Sequence, residues 1–260
     1  MSNAYLIIGA TGGIGQAVCR ALAESGARLV LCGRNEARMM PLQVQLGDDN
    51  QLLVADINSA EGRSRILDTL REEGIDKVIN LAGVNQFTTF AKQSDAEIEA
   101  LIQTNLTAVL CLNRLLVAHF LQQGHGLIVN TGSALGQIGL PGYATYSATK
   151  FAVRGFCEAL SRELADSAVA VKYFSPRATA TAINSDAVNA MNSELGNKTD
   201  SPERVASELL AFLQKSASSY QVGWPEKLFT RLNGAFPGLV SRQLKQQLPV
   251  INKYLKSEVS

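Results

Sequence analysis

The chain of 260 residues is 46% apolar and 18% charged, with 21 Gly and 7 Pro, which excludes disordered, collagen-like and disulfide-scaffold proteins and fits one α/β domain. Its 24 basic and 23 acidic residues leave a net charge of +1, so there is no bulk attraction to nucleic acid. The four cysteines (Cys19, Cys32, Cys111, Cys157) and two histidines (His119, His125) have no metal-ligand spacing. No basic leader with an apolar run opens the chain, and no window reaches the roughly 18 to 20 uninterrupted apolar residues of a spanning helix. The expectation is a cytoplasmic protein with reduced thiols.

Short apolar runs predict strands at Tyr5–Ile8, Arg28–Cys32, Gln51–Val54, Lys77–Asn80, Leu127–Asn130, Val169–Phe174 and a short Tyr220–Val222. Helical periodicity occupies 13–25, 35–46, 60–73, 95–123, 144–166 and 202–216 between them. Such alternation predicts a doubly wound, Rossmann-type parallel sheet covered on both faces. The segment 175–200 reads as irregular, and one that long inside a compact domain is expected to be a binding loop or lid.

The first strand runs into Gly9-Ala10-Thr11-Gly12-Gly13-Ile14-Gly15, and a helix follows. Glycines let the chain turn sharply there and let a pyrophosphate reach the amides at the helix N-terminus, where the dipole favours anions. The second strand ends in Gly33-Arg34. An acidic residue at that point binds the ribose 2′-hydroxyl of NAD, whereas an Arg accommodates a 2′-phosphate, so Arg34 favours NADP(H) over NAD(H).

Strand Leu127–Asn130 leads to Thr131-Gly132-Ser133, and Tyr146-Ser147-Ala148-Thr149-Lys150 follows on a helix. Residues four apart share a helix face, so Tyr146 and Lys150 lie together. An ammonium beside a phenol is expected to lower its pKa and make it a usable proton donor and acceptor. Ser133, at the C-terminal end of a parallel strand, is placed to hydrogen-bond the same reacting oxygen. Taken singly, the Tyr-x-x-x-Lys pair also fits a structural surface helix, and Ser133 a helix cap.

In combination these residues resemble the short-chain dehydrogenase/reductase family over about residues 4–222. The glycine loop matches the family's cofactor loop, Asp56, followed by Ile57, its adenine-contacting Asp, and Asn80-Leu81-Ala82-Gly83 its Asn-Asn-Ala-Gly. Asn105, Ser133, Tyr146 and Lys150 match its catalytic tetrad. The resemblance implies that Tyr146 is the general acid or base, that Ser133 polarises the substrate oxygen and that Lys150 holds the nicotinamide ribose while depressing the Tyr146 pKa. It also implies that Asn105 fixes a proton-relaying water. The cofactor site expected from loop and resemblance together comprises Gly9, Thr11, Gly12, Gly13, Ile14, Gly15, Arg34, Asp56, Ile57, Asn80, Ala82, Gly83, Tyr146, Lys150, Pro176, Arg177, Thr179 and Thr181, with no metal.

The chain departs from the family pattern at Ile8, at Leu81 and at Pro176-Arg177-Ala178-Thr179-Ala180-Thr181, where the family has Pro-Gly-x-x-x-Thr. Pro176 and Thr181 keep their spacing, while Arg177 either alters the turn or offers a charge to cofactor or substrate. The expected activity is NADP(H)-linked interconversion of a carbonyl and an alcohol, the substrate pocket being drawn from Phe87, Leu135, Ile138, Leu140, Ile183, Val188 and Met191. The alternatives are a non-catalytic NADP(H)-binding regulator and an NAD-linked alcohol dehydrogenase. By resemblance, a homodimer or homotetramer forms through helices 106–123 and 144–166.

The domain reading is a catalytic unit at 1–225 and a basic amphipathic extension at 226–260. Residues 227–256 carry six basic residues and no acidic one. The stripe Val240, Leu244, Leu248, Ile251 and Leu255 predicts a helix that Pro249 should kink or end. That stripe is expected to pack on its own domain or a partner subunit, with an anionic membrane surface as the alternative.

Overall fold

The computed structural model describes residues 3–224 and 226–257; Met1, Ser2, residues 258–260 and Pro225, at the expected domain boundary, lie outside the described residues. Seven strands form one parallel sheet in the order β3-β2-β1-β4-β5-β6-β7. They are β1 (Ala4–Ile8), β2 (Arg28–Gly33), β3 (Gln51–Val54), β4 (Lys77–Asn80), β5 (Gly126–Thr131), β6 (Val169–Ser175) and β7 (Ser219–Gln221). Central β1 is AYLII with every residue buried, as a strand covered on both faces must be.

Side chains alternate across the sheet. Leu6 and Ile8 join one core with α3 (Ala60–Glu72), α5 (Ala108–Gln123) and α6 (Ala144–Glu163), whereas Tyr5 and Ile7 join the other with α1 (Gly13–Glu24), α2 (Glu36–Leu46) and α8 (Pro202–Leu213). The strand order reverses between β1 and β4, which opens a crevice at the strands' C-terminal ends. A reciprocal pair of amide bonds at 3.1 and 2.9 Å ties buried Asn113 of α5 to Asn130 of β5, so neither carboxamide is left unsatisfied there.

Three departures from the sequence reading matter. The expected helix 95–123 is α4 (Asp95–Ile102) and α5 joined by a π-helical turn over Gln103–Thr107. By length and composition that run could cross a membrane, but Leu112, Leu116 and Phe120 are fully buried, so its apolarity belongs to the core. The segment expected to be irregular contains α7 (Asp186–Glu194), started by the Ser185 side chain accepting from the Val188 amide.

The third departure is at the C-terminal end. After α9 (Glu226–Ala235), α10 runs from Pro237 to Ser257 with Pro249 inside it, so the helix does not end there. Buried Val240 lies before the proline, and buried Ile251 and Leu255 after it, so packing on both sides outweighs one lost backbone bond. Ile251 and Leu255 join Phe87, Tyr143, Val188 and Met191 in a third core, which places the predicted stripe on the protein's own body.

Candidate active site

The phosphate end is built by steric exclusion. Gly9 has φ +80°, and a Cβ there would lie 2.9 Å from the Ala82 amide nitrogen; one on Gly15 would lie 2.1 Å from the Gly9 carbonyl oxygen. Neither position admits a side chain, so the turn closes against β4. Gln16 holds the loop by donating to the Thr11 carbonyl at 3.0 Å, a contact the sequence reading missed. Gly12 caps α1 with no side-chain acceptor, whereas α2, α3 and α7 are each capped by an Asn or Ser side chain. The amides at the α1 N-terminus thus have no side-chain acceptor, and a helix end of that kind favours an anion.

The adenosine end follows β2 and β3. Arg34 is exposed immediately after β2. Asp56 folds back to accept from the Asn58 amide at 2.9 Å, with Ile57 buried beside it. Asn80 closes β4 by accepting from the Ala82 amide at 3.1 Å.

At the chemical end, the extra residue of the π turn aims Asn105 sideways. Its carboxamide accepts from the Val84 amide at 2.9 Å and donates to the Val84 carbonyl at 2.8 Å, fixing the loop after β4. A Cβ on Gly83 would sit 3.4 Å from Asn105 Oδ1 and 3.5 Å from Lys150 Nζ, so the three groups surround one small space. Ser133 caps a 3-10 turn, Ala134–Gly136, by accepting from the Leu135 amide at 3.1 Å. Its hydroxyl also pairs with the Tyr146 phenol. Gly132 is required because a Cβ there would lie 2.0 Å from the Tyr173 hydroxyl oxygen.

The expected lowering of Tyr146 is corrected by this geometry. Burial pushes the phenol up to about 12, against the smaller opposing pull of the Ser133 hydroxyl. Burial also pushes Lys150 down to about 8, and its Nζ donates to the Thr131 carbonyl at 3.1 Å, 5.7 Å from the Tyr146 ring centroid. Desolvation outweighs the Ser133 hydrogen bond at Tyr146 and is the cause of the Lys150 shift. At neutral pH the pair is a neutral phenol beside an ammonium, the state that can donate a proton to a carbonyl oxygen.

Arg177 serves the turn, the first of its two expected roles. Its guanidinium donates to both oxygens of buried Asp200, Nε to Oδ2 at 2.7 Å and Nη2 to Oδ1 at 2.6 Å, and the residue also lines the cleft. Asp200 also bonds through its backbone to Ala178 and Ala180. Thr179 donates to the Arg177 carbonyl, and Thr181 packs over Gly13, where an added Cβ would lie 2.6 Å from Thr181 Cγ2. The pair therefore fixes the segment that faces the glycine loop. Nothing in local spacing announces Asp200; only the rule that a buried Arg needs a carboxylate points toward it.

These parts open onto one cleft of about 360 Å³. Ile14, Gly83, Ser133, Tyr146, Lys150 and Thr181 line its catalytic end. Leu135, Ile138, Leu140, Ile183, Val188 and Met191 line it as expected, while Phe87, its ring tilted on that of Tyr143 at 5.0 Å, lines a second cavity of about 570 Å³ that shares Asn85, Ile183 and Val188 with the cleft. Phe229, Val240 and Leu244, from α9 and α10, form a roof that the sequence reading did not assign to the pocket. Outside the cleft, Lys253 and Tyr254 of α10 each donate to Glu194 of α7 at 2.7 Å.

Residues 3–192 match the family model described as short chain dehydrogenase. The chain belongs to the short-chain dehydrogenase family. It is 33% identical to an acetoacetyl-CoA reductase of Allochromatium vinosum over 86% of this chain and 95% of that protein. It is 28% identical to a 3-oxoacyl-[acyl-carrier-protein] reductase FabG of Vibrio cholerae over 84% and 92%. A short-chain dehydrogenase from Sphingobium yanoikuyae, solved in complex with NADPH, superposes with a TM-score of 0.77 at 29% identity, covering 92% of this chain and 95% of that one. The protein is thus a short-chain dehydrogenase oxidoreductase with a nicotinamide-cofactor fold. The uncapped α1 N-terminus and the space beside Gly83 fit such a cofactor.

Proposed function

We propose that this short-chain dehydrogenase reduces an apolar carbonyl compound with NADPH, or catalyses the reverse oxidation. The observation that carries this reading is the Tyr146 phenol, half-buried and paired with the Ser133 hydroxyl where both line an apolar cleft. A bound nicotinamide supplies the hydride. Ser133 donates a hydrogen bond to the carbonyl oxygen, where negative charge develops, and Tyr146 delivers the proton to that atom. Lys150 places a positive charge behind the phenol, while Asn105 holds the Val84 backbone that borders the same space.

Exposed Arg34 in place of an acidic residue supports the preference for NADP(H). Gly9, Thr11, Gly12, Gly13, Ile14 and Gly15 would face the pyrophosphate, with Asp56 and Ile57 at the adenine and Asn80, Ala82, Gly83, Pro176, Thr179 and Thr181 toward the nicotinamide half. Exposed Leu121 on α5 and Phe151 on α6 support a homo-oligomer through those helices. Free Cys19, Cys32 and Cys157, each pushed up to about 12 by burial, support a cytoplasmic setting without disulfides.

The test is NADPH oxidation against aldehydes, ketones and quinones, with NADH in parallel. Turnover that collapses in Tyr146→Phe is the expected result. Tight NADPH binding without turnover of any panel member counts for the regulatory reading instead.

A further inference from the structure

The C-terminal pair of helices has two faces. On α10, Val240, Leu244 and Ile251 point toward the cleft and third core, and a 3.6-residue period puts Leu239, Arg242 and Gln246 on the opposite side. On α9, Phe229 lines the cleft and Thr230 is buried, whereas Leu228 and Arg231 are exposed. The outward side is unusually apolar for a surface. Trp224 is 65% exposed and Leu228 44%, at the N-terminal end of α9, and Phe236 is 59% and Leu239 60% exposed, at the α9–α10 corner.

The charges along this stretch are mostly positive, with Glu226 the one acidic residue from Trp224 to Ser257. Lys227, Arg231, Arg242 and Lys245 lie along it, and no acidic residue occurs between Lys227 and Lys256. Lys227 stands over the Tyr220 ring at 4.5 Å, and Lys253 is held by Glu194, while Arg231, Arg242 and Lys245 are exposed. We propose that this corner is a docking surface for an anionic lipid bilayer, with Trp224, Leu228, Phe236 and Leu239 entering the headgroup boundary and the cations resting on lipid phosphates. The stripe read from sequence as the membrane candidate is spent on the protein's own core; the docking face is its opposite.

Charge selects this occupant over a second copy of the chain. A two-fold contact brings the same patch against itself and would set these cations against their own duplicates. An anionic bilayer instead neutralises them and accepts the aromatic and aliphatic tips. A roof docked in this way lets the apolar cleft beneath it receive a substrate dissolved in lipid.

Trp224 is the only tryptophan in the chain, so its fluorescence reports the N-terminal end of the α9 side of this face alone. The full-length protein is titrated with vesicles of phosphatidylcholine, with and without phosphatidylglycerol, and followed by Trp224 emission and co-sedimentation. With phosphatidylglycerol the emission should shift to the blue and the protein should sediment, both effects reversing at high salt. Phe236→Ser with Leu239→Ser should abolish both, and Arg242→Glu with Lys245→Glu should weaken binding by about tenfold or more. All four positions are exposed, so circular dichroism of the variants should match the parent. Unchanged emission and no sedimentation with anionic vesicles at low salt overturn the proposal. So does emission that is already blue without lipid and reddens on dilution, which assigns the corner to a second copy.

Discussion

The Arg177 guanidinium and the Asp200 carboxylate meet through two hydrogen bonds, at 2.7 and 2.6 Å, with side-chain exposures of 5% and 1%. Removing one partner strands the other in a medium that cannot solvate it. Asp200→Ala is therefore expected to cost about 3–5 kcal/mol in urea denaturation. Because Arg177, held by that carboxylate, accepts from Thr179 through its carbonyl in the segment that faces the glycine loop, NADPH affinity measured by fluorescence should fall as well.

Tyr146→Phe keeps the ring and its packing while deleting the proton. Turnover should fall by about two to four orders of magnitude, with NADPH affinity changed little. Ser133→Ala removes one donor from the developing oxyanion, and its loss should be about 100- to 1000-fold in kcat. If both variants retain near-parental kcat, the proposed proton donor is wrong.

Arg34 meets the cofactor, if anywhere, at a 2′-phosphate. Arg34→Ala should raise KM for NADPH by about 10- to 100-fold, the worth of a charge-assisted hydrogen bond, while leaving NADH kinetics unmoved. Equal effects on both cofactors would show that Arg34 supports the α2 start and does not read the phosphate.

Lys150 predicts two pH effects. Its amine, ordinarily near 10.5, is held at about 8 in the folded chain. Above pH 8 the folded protein loses the ammonium that favours the forming phenolate, so the reduction rate should decline with an inflection near pH 8. Stability moves the other way. Between pH 8 and 10.5 the unfolded chain still binds a proton that the folded chain has released, so unfolding free energy from this group rises with pH. Lys150→Met should flatten that rise in denaturation curves taken between pH 8 and 10, below the range where tyrosines complicate it.

The strands and the glycine turn were legible because short continuous apolar runs and glycine spacing are local signals. Tyr146 and Lys150 could be paired from helix geometry alone. What stayed hidden depends on the third dimension. The direction of the Tyr146 shift required knowing that the phenol is buried, and a sequence shows its charged neighbours more readily than its lost water. The choice between the two roles of Arg177 stayed open because Asp200 is far along the chain. The roof over the cleft came from a stripe whose periodicity was plain but whose docking partner no periodicity names. Pro249 misled for the same reason, since its local penalty was visible and the packing that outweighs it was not.

The π turn at Gln103–Thr107 places one residue more in this helical run than an unbroken α-helix would hold. A single deletion inside it would repair the hydrogen-bond ladder and leave α4 and α5 seated as before, yet it would swing Asn105 away from Val84. Shortening the chain here should thus yield a sturdier protein with an impaired site. A lineage under selection for stability alone would tend to lose this insertion, so its retention would mark selection on the reaction.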